Sequence, residues 1–103
     1  MKTEELTSDR IMELLCKHAG EMRSRFSVQR IGLFGSYSRR ESRVKSDIDI
    51  LVKLSEPTFD NYMDLKFFLE ELLNREVDLV MAETLKRRVR PGILRDVMYA
   101  EGL

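Results

Sequence analysis

Two aspartates interrupt an apolar, strand-like segment in the middle of the chain. Asp47 and Asp49 lie in the stretch SDIDILV, whose Ile48, Ile50 and Val52 point to the other face of a strand. A carboxylate in an apolar strand costs free energy unless a cation or hydrogen bonds compensate it. Two neighbouring carboxylates also oppose each other's ionisation. The segment therefore predicts a strand with one side in the core and one side that carries a charged site.

A third acid stands in a similar apolar setting further along the chain. Asp78 lies in EVDLVMA, and its carboxylate converges with those of Asp47 and Asp49 if the two strands are neighbours. Three such oxygen donors suit hard divalent cations such as Mg²⁺, and two such ions can clamp both oxygens of a phosphoryl displacement. The alternative is that these acids are hydrogen-bonded caps at strand ends, or partners of arginine and lysine.

The apolar segment VQRIGLFG ends in glycine and is followed by a polar stretch. Gly35 would let the backbone approach a ligand closely, and the Ser36 hydroxyl could donate to a phosphate oxygen. A helical turn starting there would also favour an anion, and Arg39 could reach a phosphate. The alternatives are an ordinary strand-to-helix turn and a solvated arginine.

The hydrophobic pattern predicts the element order α-β-β-α-β-α. This order is typical of an α/β or α+β domain with a small mixed sheet flanked by helices, and we expect residues 1–103 to form a single domain. The predicted elements are a helix from Thr7 or Ser8 to about Ser24–Ser27, strands over 28–35, 47–54 and 76–82, a helix over 59–74, and a last short helix within RPGILRDVMYAEGL, with Pro91 in its first turn.

The predicted helix over residues 59–74 has a wider apolar surface than one buried face requires. Its stripe includes Leu65 and Leu69, and Met63 and Phe67 extend it sideways. The helix either contacts something beyond its own core or is covered by its neighbours on two sides.

The composition is that of a globular protein without a strong charge bias. Apolar residues make up 43% and charged residues 35% of the chain, and 18 basic residues balance 18 acidic ones. The apolar content argues against disorder, and the equal numbers of basic and acidic residues argue against direct nucleic-acid binding. We expect no membrane association and a cytoplasmic location, because the polar N-terminal stretch has no signal-peptide h-region and no apolar run could span a bilayer.

These motifs together resemble a known family. Gly35-Ser36, ten intervening residues and Asp47-x-Asp49, followed by Asp78 after the next helix, resemble the signature of the DNA polymerase β-type nucleotidyltransferase superfamily. The small chain resembles the minimal nucleotidyltransferases, which are typically encoded beside a helical HEPN-domain protein. The resemblance implies that Gly35 and Ser36 hold a triphosphate, that Asp47 and Asp49 bind two Mg²⁺ ions, and that Asp78 completes the catalytic metal's shell and helps deprotonate the attacking hydroxyl.

The resemblance also implies an activity and a partner. Family members of this size are thought to act as antitoxins that transfer AMP from ATP to a tyrosine of the HEPN toxin, with which they form a hetero-oligomer. Arg40 departs from the glycine that the family often has there, so a positive φ at this position would carry a steric cost. The alternative is a weakly catalytic or non-catalytic antitoxin that neutralises its partner by covering it.

Overall fold

The computed structural model describes residues 7–35, 48–82 and 97–100. Its helices and strands are α1 (Ser8–Lys17), α2 (Ala19–Phe26), β1 (Val28–Phe34), β2 (Ile48–Leu54), α3 (Phe59–Leu73), β3 (Val77–Met81) and β4 (Met98–Tyr99). None of the helices in these ranges combines the length and apolar character that a membrane crossing requires.

The strands form one mixed sheet in the order β3-β2-β1-β4. β1 is antiparallel to both β2 and β4, and β2 is parallel to β3. The parallel pair is joined through α3, as a parallel connection requires a crossover. The prediction of an α+β fold with a small mixed sheet is confirmed.

The helices cover one face of this sheet and enclose the main core. Ile48, Ile50 and Val52 of β2 are all 0% exposed, which confirms that these residues point into a core. Burial on this scale is the main favourable term in folding. The helix residues that meet the sheet include Ile11, Leu15, Met22, Phe26, Leu65, Leu69 and Leu73.

Polar residues mark the ends of the helices. Thr7 and Thr58 are the N-caps of α1 and α3, and their hydroxyls accept hydrogen bonds from the backbone N–H of Arg10 (3.2 Å) and Asn61 (3.1 Å). A capping oxygen of this kind satisfies a donor that the first turn leaves unpaired. Ser27, with φ +60°, ends α2 in the left-handed conformation and leads directly into β1.

The predicted first helix is divided into two. α1 ends at Lys17 and α2 begins at Ala19, with His18 between them at φ −101° and ψ 10°. The apolar spacing continues across this break, since Ala19 and Met22 are buried in register with Leu15. Periodicity therefore indicated the buried face correctly but carried no signal for the interruption.

The predicted last helix is wrong over Met98–Tyr99. These residues form β4, which pairs with Gly32 and Leu33 of β1, and the Ala100 N–H donates to the Ile31 carbonyl at 2.8 Å. The free edge of β1 offers the backbone partners that a helix would otherwise supply. Pro91 and the remainder of the predicted helix lie outside the described residues.

Side chains of α3 bond to the backbone of β3. The Tyr62 hydroxyl donates to the Leu79 carbonyl at 2.6 Å, and the Glu70 carboxylate accepts from the Val77 N–H at 3.1 Å. β3 is at the end of the strand order, where backbone groups need partners other than another strand. These two bonds fix α3 against β3 and thereby set the position of Asp78.

Candidate active site

Neighbouring parallel strands place two of the predicted acids side by side. Asp49 of β2 and Asp78 of β3 are partners in the β2–β3 register. Such partners lie about 4.8 Å apart across a sheet, with side chains on the same face. Asp49 is half-buried and Asp78 is exposed. The third strand lies beside the second, which is the condition under which these carboxylates were predicted to converge, and this register brings Asp49 and Asp78 together.

The acids lie on the sheet face opposite the helices, next to a small second apolar cluster. Phe34 and Leu51 are its buried members, at 9% and 2% exposure, and Val80 packs against them. Apolar neighbours that exclude water strengthen the interaction of a carboxylate with a bound cation. The alternation along β2 already places Leu51 on the face of Asp49, but its packing against Phe34 of β1 depends on the strand pairing and was not predicted.

Gly35 ends β1 against the side chain of Asp49. It has φ +74°, which side chains of L residues rarely adopt. A Cβ atom added to Gly35 would also lie 2.9 Å from the Asp49 Cγ and 3.1 Å from its Cβ. The β1–β2 register is the reason, because it pairs Phe34 with Asp49 and so places the next residue at the carboxylate.

The other predicted site residues lie outside the described residues. They are Ser36, Arg39 and Asp47, together with Arg40, the departure from the family pattern. Within residues 7–35, 48–82 and 97–100, no three His, Cys, Asp or Glu side chains are grouped so that they could hold a metal ion. Of the predicted triad, the described part of the chain contributes the pair Asp49 and Asp78.

The chemistry of this pair fits Mg²⁺. The ion prefers oxygen ligands and usually binds through one or two carboxylates together with substrate phosphates. Asp49 and Asp78 supply two adjacent carboxylates, and the missing side chain of Gly35 leaves the space that the Asp49 carboxylate occupies. These two residues, with Asp47, would hold the ion.

A second surface lies between α2 and α3, on the helical side of the molecule. An open groove of about 650 Å³ is lined by residues that include Arg25, Phe67 and Phe68. Phe67 is 58% exposed, whereas the Phe68 ring packs against Phe26 with centroids 5.3 Å apart. The predicted widening of the apolar surface is therefore present at Phe67.

The charges on this surface interact locally. Arg25 Nη1 donates to Glu21 Oε2 at 2.6 Å, and this hydrogen bond, with a further one from His18, lowers the pKa of the Glu21 carboxyl. Glu21 is exposed, so solvent screens the pair.

The nucleotidyltransferase domain family matches residues 15–100 of this chain. The match includes both strands that carry Asp49 and Asp78 and the end of β1 at Gly35. The chain therefore belongs to the nucleotidyltransferase domain family, as the Gly-Ser and Asp-x-Asp motifs predicted.

Similar proteins and solved structures indicate which kind of nucleotidyltransferase this chain resembles. The chain is 44% identical over 95 residues to the protein adenylyltransferase MntA of Thermococcus cleftensis, an alignment that covers 91% of this chain and 96% of that protein. It superposes with a TM-score of 0.75 on a solved structure assigned as a minimal nucleotidyltransferase, at 30% identity and with 93% and 98% of the two chains covered. A toxin–antitoxin crystal structure with AMP-PNP gives a TM-score of 0.61 at 27% identity, with 95% and 75% covered.

These similarities confirm two predictions that the residues supported. The fold is that of the minimal nucleotidyltransferases, and the chain is an enzyme of the nucleotidyltransferase class.

Proposed function

We propose that this protein is a Mg²⁺-dependent protein adenylyltransferase that transfers AMP from ATP to a tyrosine hydroxyl of a HEPN toxin and thereby acts as its antitoxin. The observation that carries the proposal is the in-register pair Asp49 and Asp78 beside Gly35. The 44% identity to a protein adenylyltransferase supports AMP as the transferred group. The likeness to a toxin–antitoxin structure with AMP-PNP supports ATP as the donor and a toxin as the partner.

Each site residue has a proposed role in this reaction. Asp47, Asp49 and Asp78 would hold two Mg²⁺ ions, which when bound would neutralise the negative charge of the reacting triphosphate. Asp49 is half-buried and paired in the sheet on both sides, so it offers a rigid ligand. Asp78 is exposed at the outer strand, where an acceptor hydroxyl from another protein can reach it and transfer its proton.

The phosphate side of the site is assigned to the end of β1. Gly35, Ser36 and Arg39 hold the triphosphate so that the acceptor oxygen faces the α-phosphorus. The new bond forms between the acceptor oxygen and that phosphorus, while the bond to the β-phosphate oxygen breaks and pyrophosphate leaves. The protein contributes position and charge compensation, and no covalent intermediate on the chain is required.

The partner is proposed to be an all-helical HEPN protein that binds this chain in a cytoplasmic hetero-oligomer. The acceptor is proposed to come from the partner, because Asp78 is exposed on the strand at the end of the sheet order. The 44% identity to a protein adenylyltransferase supports a protein, and not a small molecule, as the acceptor.

The test measures transfer directly. Purified protein is incubated with α-labelled ATP and Mg²⁺, with and without the HEPN protein encoded beside it. The mass of each chain is then measured by intact mass spectrometry. We expect the helical partner to gain one or more AMP units with the parent protein and none with Asp47→Asn. Tight complex formation without any gain of AMP would contradict the proposed enzyme and favour neutralisation by masking.

Masking remains the second candidate function because Phe67 is exposed on α3. Its 58% exposure, beside the groove between α2 and α3, gives the chain an apolar surface for a partner. Under this alternative, the aspartates can be replaced without loss of neutralisation, whereas a charge at Phe67 abolishes it.

Phe67 is a cleaner test position than its neighbour. Phe68 contacts Phe26 and His18, so a charge there would also disturb the core, whereas Phe67→Asp leaves these contacts in place. Toxin neutralisation by Asp49→Asn and by Phe67→Asp is compared in one growth assay, with circular dichroism as the control for folding. Loss only in Asp49→Asn favours catalysis, and loss only in Phe67→Asp favours masking.

A further inference from the structure

We infer that Gly35 is a positioning residue for Asp49: the absence of a side chain at residue 35 keeps the Asp49 carboxylate in the orientation from which it binds metal. This role is separate from a close approach of the Gly35 backbone to phosphate. It rests on the proposed function, because it takes Asp49 as a metal ligand.

The contact is specific to this glycine among the described ones. A Cβ atom at Gly20 would meet nothing within 4 Å, and one at Gly32 would meet mainly β4, with Val97 Cγ1 at 2.7 Å. At Gly35, the nearest atoms all belong to the Asp49 side chain, including Cγ at 2.9 Å. The Asp49 carboxylate thus occupies the space that a side chain at residue 35 would take.

The expected consequence of a side chain at residue 35 is a rotated carboxylate. The backbone of Asp49 is held in the sheet by β1 on one side and β3 on the other, so the strand resists movement. Rotation about the Asp49 Cα–Cβ bond is the easier response, and it moves both carboxylate oxygens. Because a metal ligand must keep its position within about 0.5 Å, affinity for the ion should fall about tenfold to a hundredfold.

A double-mutant cycle in urea unfolding tests the contact without any activity measurement. It compares the parent, Gly35→Ala, Asp49→Ala and the double variant. The strain of alanine at φ +74° is the same in both backgrounds, whereas the clash with the carboxylate exists only where Asp49 is present. We expect Gly35→Ala to lower the urea midpoint more in the parent than in Asp49→Ala. Equal losses in the two backgrounds would overturn the inference.

Metal binding tests the consequence. Binding of Mn²⁺, without nucleotide, is measured by water proton relaxation for the parent, Gly35→Ala and the matched control Gly20→Ala. We expect about a tenfold or greater loss of Mn²⁺ affinity in Gly35→Ala and the parental affinity in Gly20→Ala. Should Gly35→Ala be too unstable to assay, the urea cycle alone decides, since the same substitution then has to be tolerated better in the Asp49→Ala background.

The outcomes separate this inference from the proposed function. A Gly35→Ala protein that binds Mn²⁺ as tightly as the parent overturns only the role of Gly35. A parent that binds no Mn²⁺ and transfers no AMP overturns the metal role of Asp49, and the proposed function with it.

Discussion

The two faces of β2 differ in what they contribute. On the helical face, Ile48, Ile50 and Val52 are fully buried in the main core. On the opposite face, Asp49 stands half-buried between Gly35 and Asp78, next to the smaller cluster of Phe34 and Leu51. A strand with period-two alternation can therefore serve stability on one side and carry a charged site on the other.

The two faces therefore differ in which property a substitution should change. The helical face contributes free energy of folding through burial, whereas the opposite face carries the carboxylates proposed to bind the metal ion. Substitutions on the helical face should thus lower mainly stability, and substitutions on the acid face should lower mainly AMP transfer.

The largest expected effect is on the acid face. Asp49→Asn should lower AMP transfer by about a hundredfold to a thousandfold, because a neutral amide binds Mg²⁺ less strongly than a carboxylate does. The urea midpoint serves as the control for folding, since asparagine has nearly the size and shape of aspartate. The control is Asp60→Asn, an exposed acid in the first turn of α3 and away from the groove, which should leave transfer unchanged. Parental transfer in Asp49→Asn would disprove the assigned role.

The next effect is on the helical face of the same strand. Ile50→Ala should lower the free energy of unfolding by about 2–5 kcal/mol, because Ile50 is 0% exposed and its loss leaves a cavity. Phe67→Ala serves as the control, since that ring is 58% exposed and its removal should cost less than about 0.5 kcal/mol. Urea unfolding measures both. Similar losses in the two variants would mean that α3 packs differently from the structure described.

A smaller effect is expected where α3 meets β3. Tyr62→Phe removes the hydrogen bond to the Leu79 carbonyl and should cost about 0.5–1.5 kcal/mol in the free energy of unfolding. Tyr99→Phe makes the same chemical change while keeping the ring against Arg30, 4.0 Å from its guanidinium carbon, and should cost less. Faster hydrogen exchange in β3 of Tyr62→Phe, but not of Tyr99→Phe, would support a stabilising role for the bond to Leu79. Equal stability of the two variants would contradict that role.

The smallest effect concerns Glu21, away from both faces of β2. Its pKa is lowered by the hydrogen bonds from Arg25 and then His18, so its contribution is present above the unfolded-state pKa. That contribution is lost as the pH falls through the lowered pKa. Glu21→Gln should therefore reduce the melting temperature slightly at neutral pH and not at strongly acidic pH. A melting-temperature difference between the parent and Glu21→Gln that grows on acidification would contradict the lowered pKa of Glu21.

Much of the fold could be predicted from local pattern. The spacing of Ile11, Leu15, Ala19 and Met22 predicted a buried helical face, and the caps at Thr7 and Thr58 agree with the predicted helix starts. The break at His18 and the strand at Met98–Tyr99 could not be predicted in this way. Both depend on neighbours that are distant in sequence, since β4 exists only because the edge of β1 is available to it.

The same distinction between local pattern and tertiary contacts applies to the candidate site. The choice of Gly35, Asp49 and Asp78 followed from residue type and from the combined spacing of the Gly-Ser and Asp-x-Asp motifs. Their arrangement required the tertiary structure. Asp49 meets Asp78 through the β2–β3 register, and Gly35 meets Asp49 through the β1–β2 register.

Local sequence predicted the alternation of β2, the candidate acids and the nucleotidyltransferase class, and the family match confirms that class. Only the tertiary structure decided which strands are neighbours, in which register, and that the Asp49 carboxylate fills the space beside Gly35. The physical reason is that alternation and capping are set by adjacent residues, whereas strand pairing depends on contacts between segments far apart in the chain.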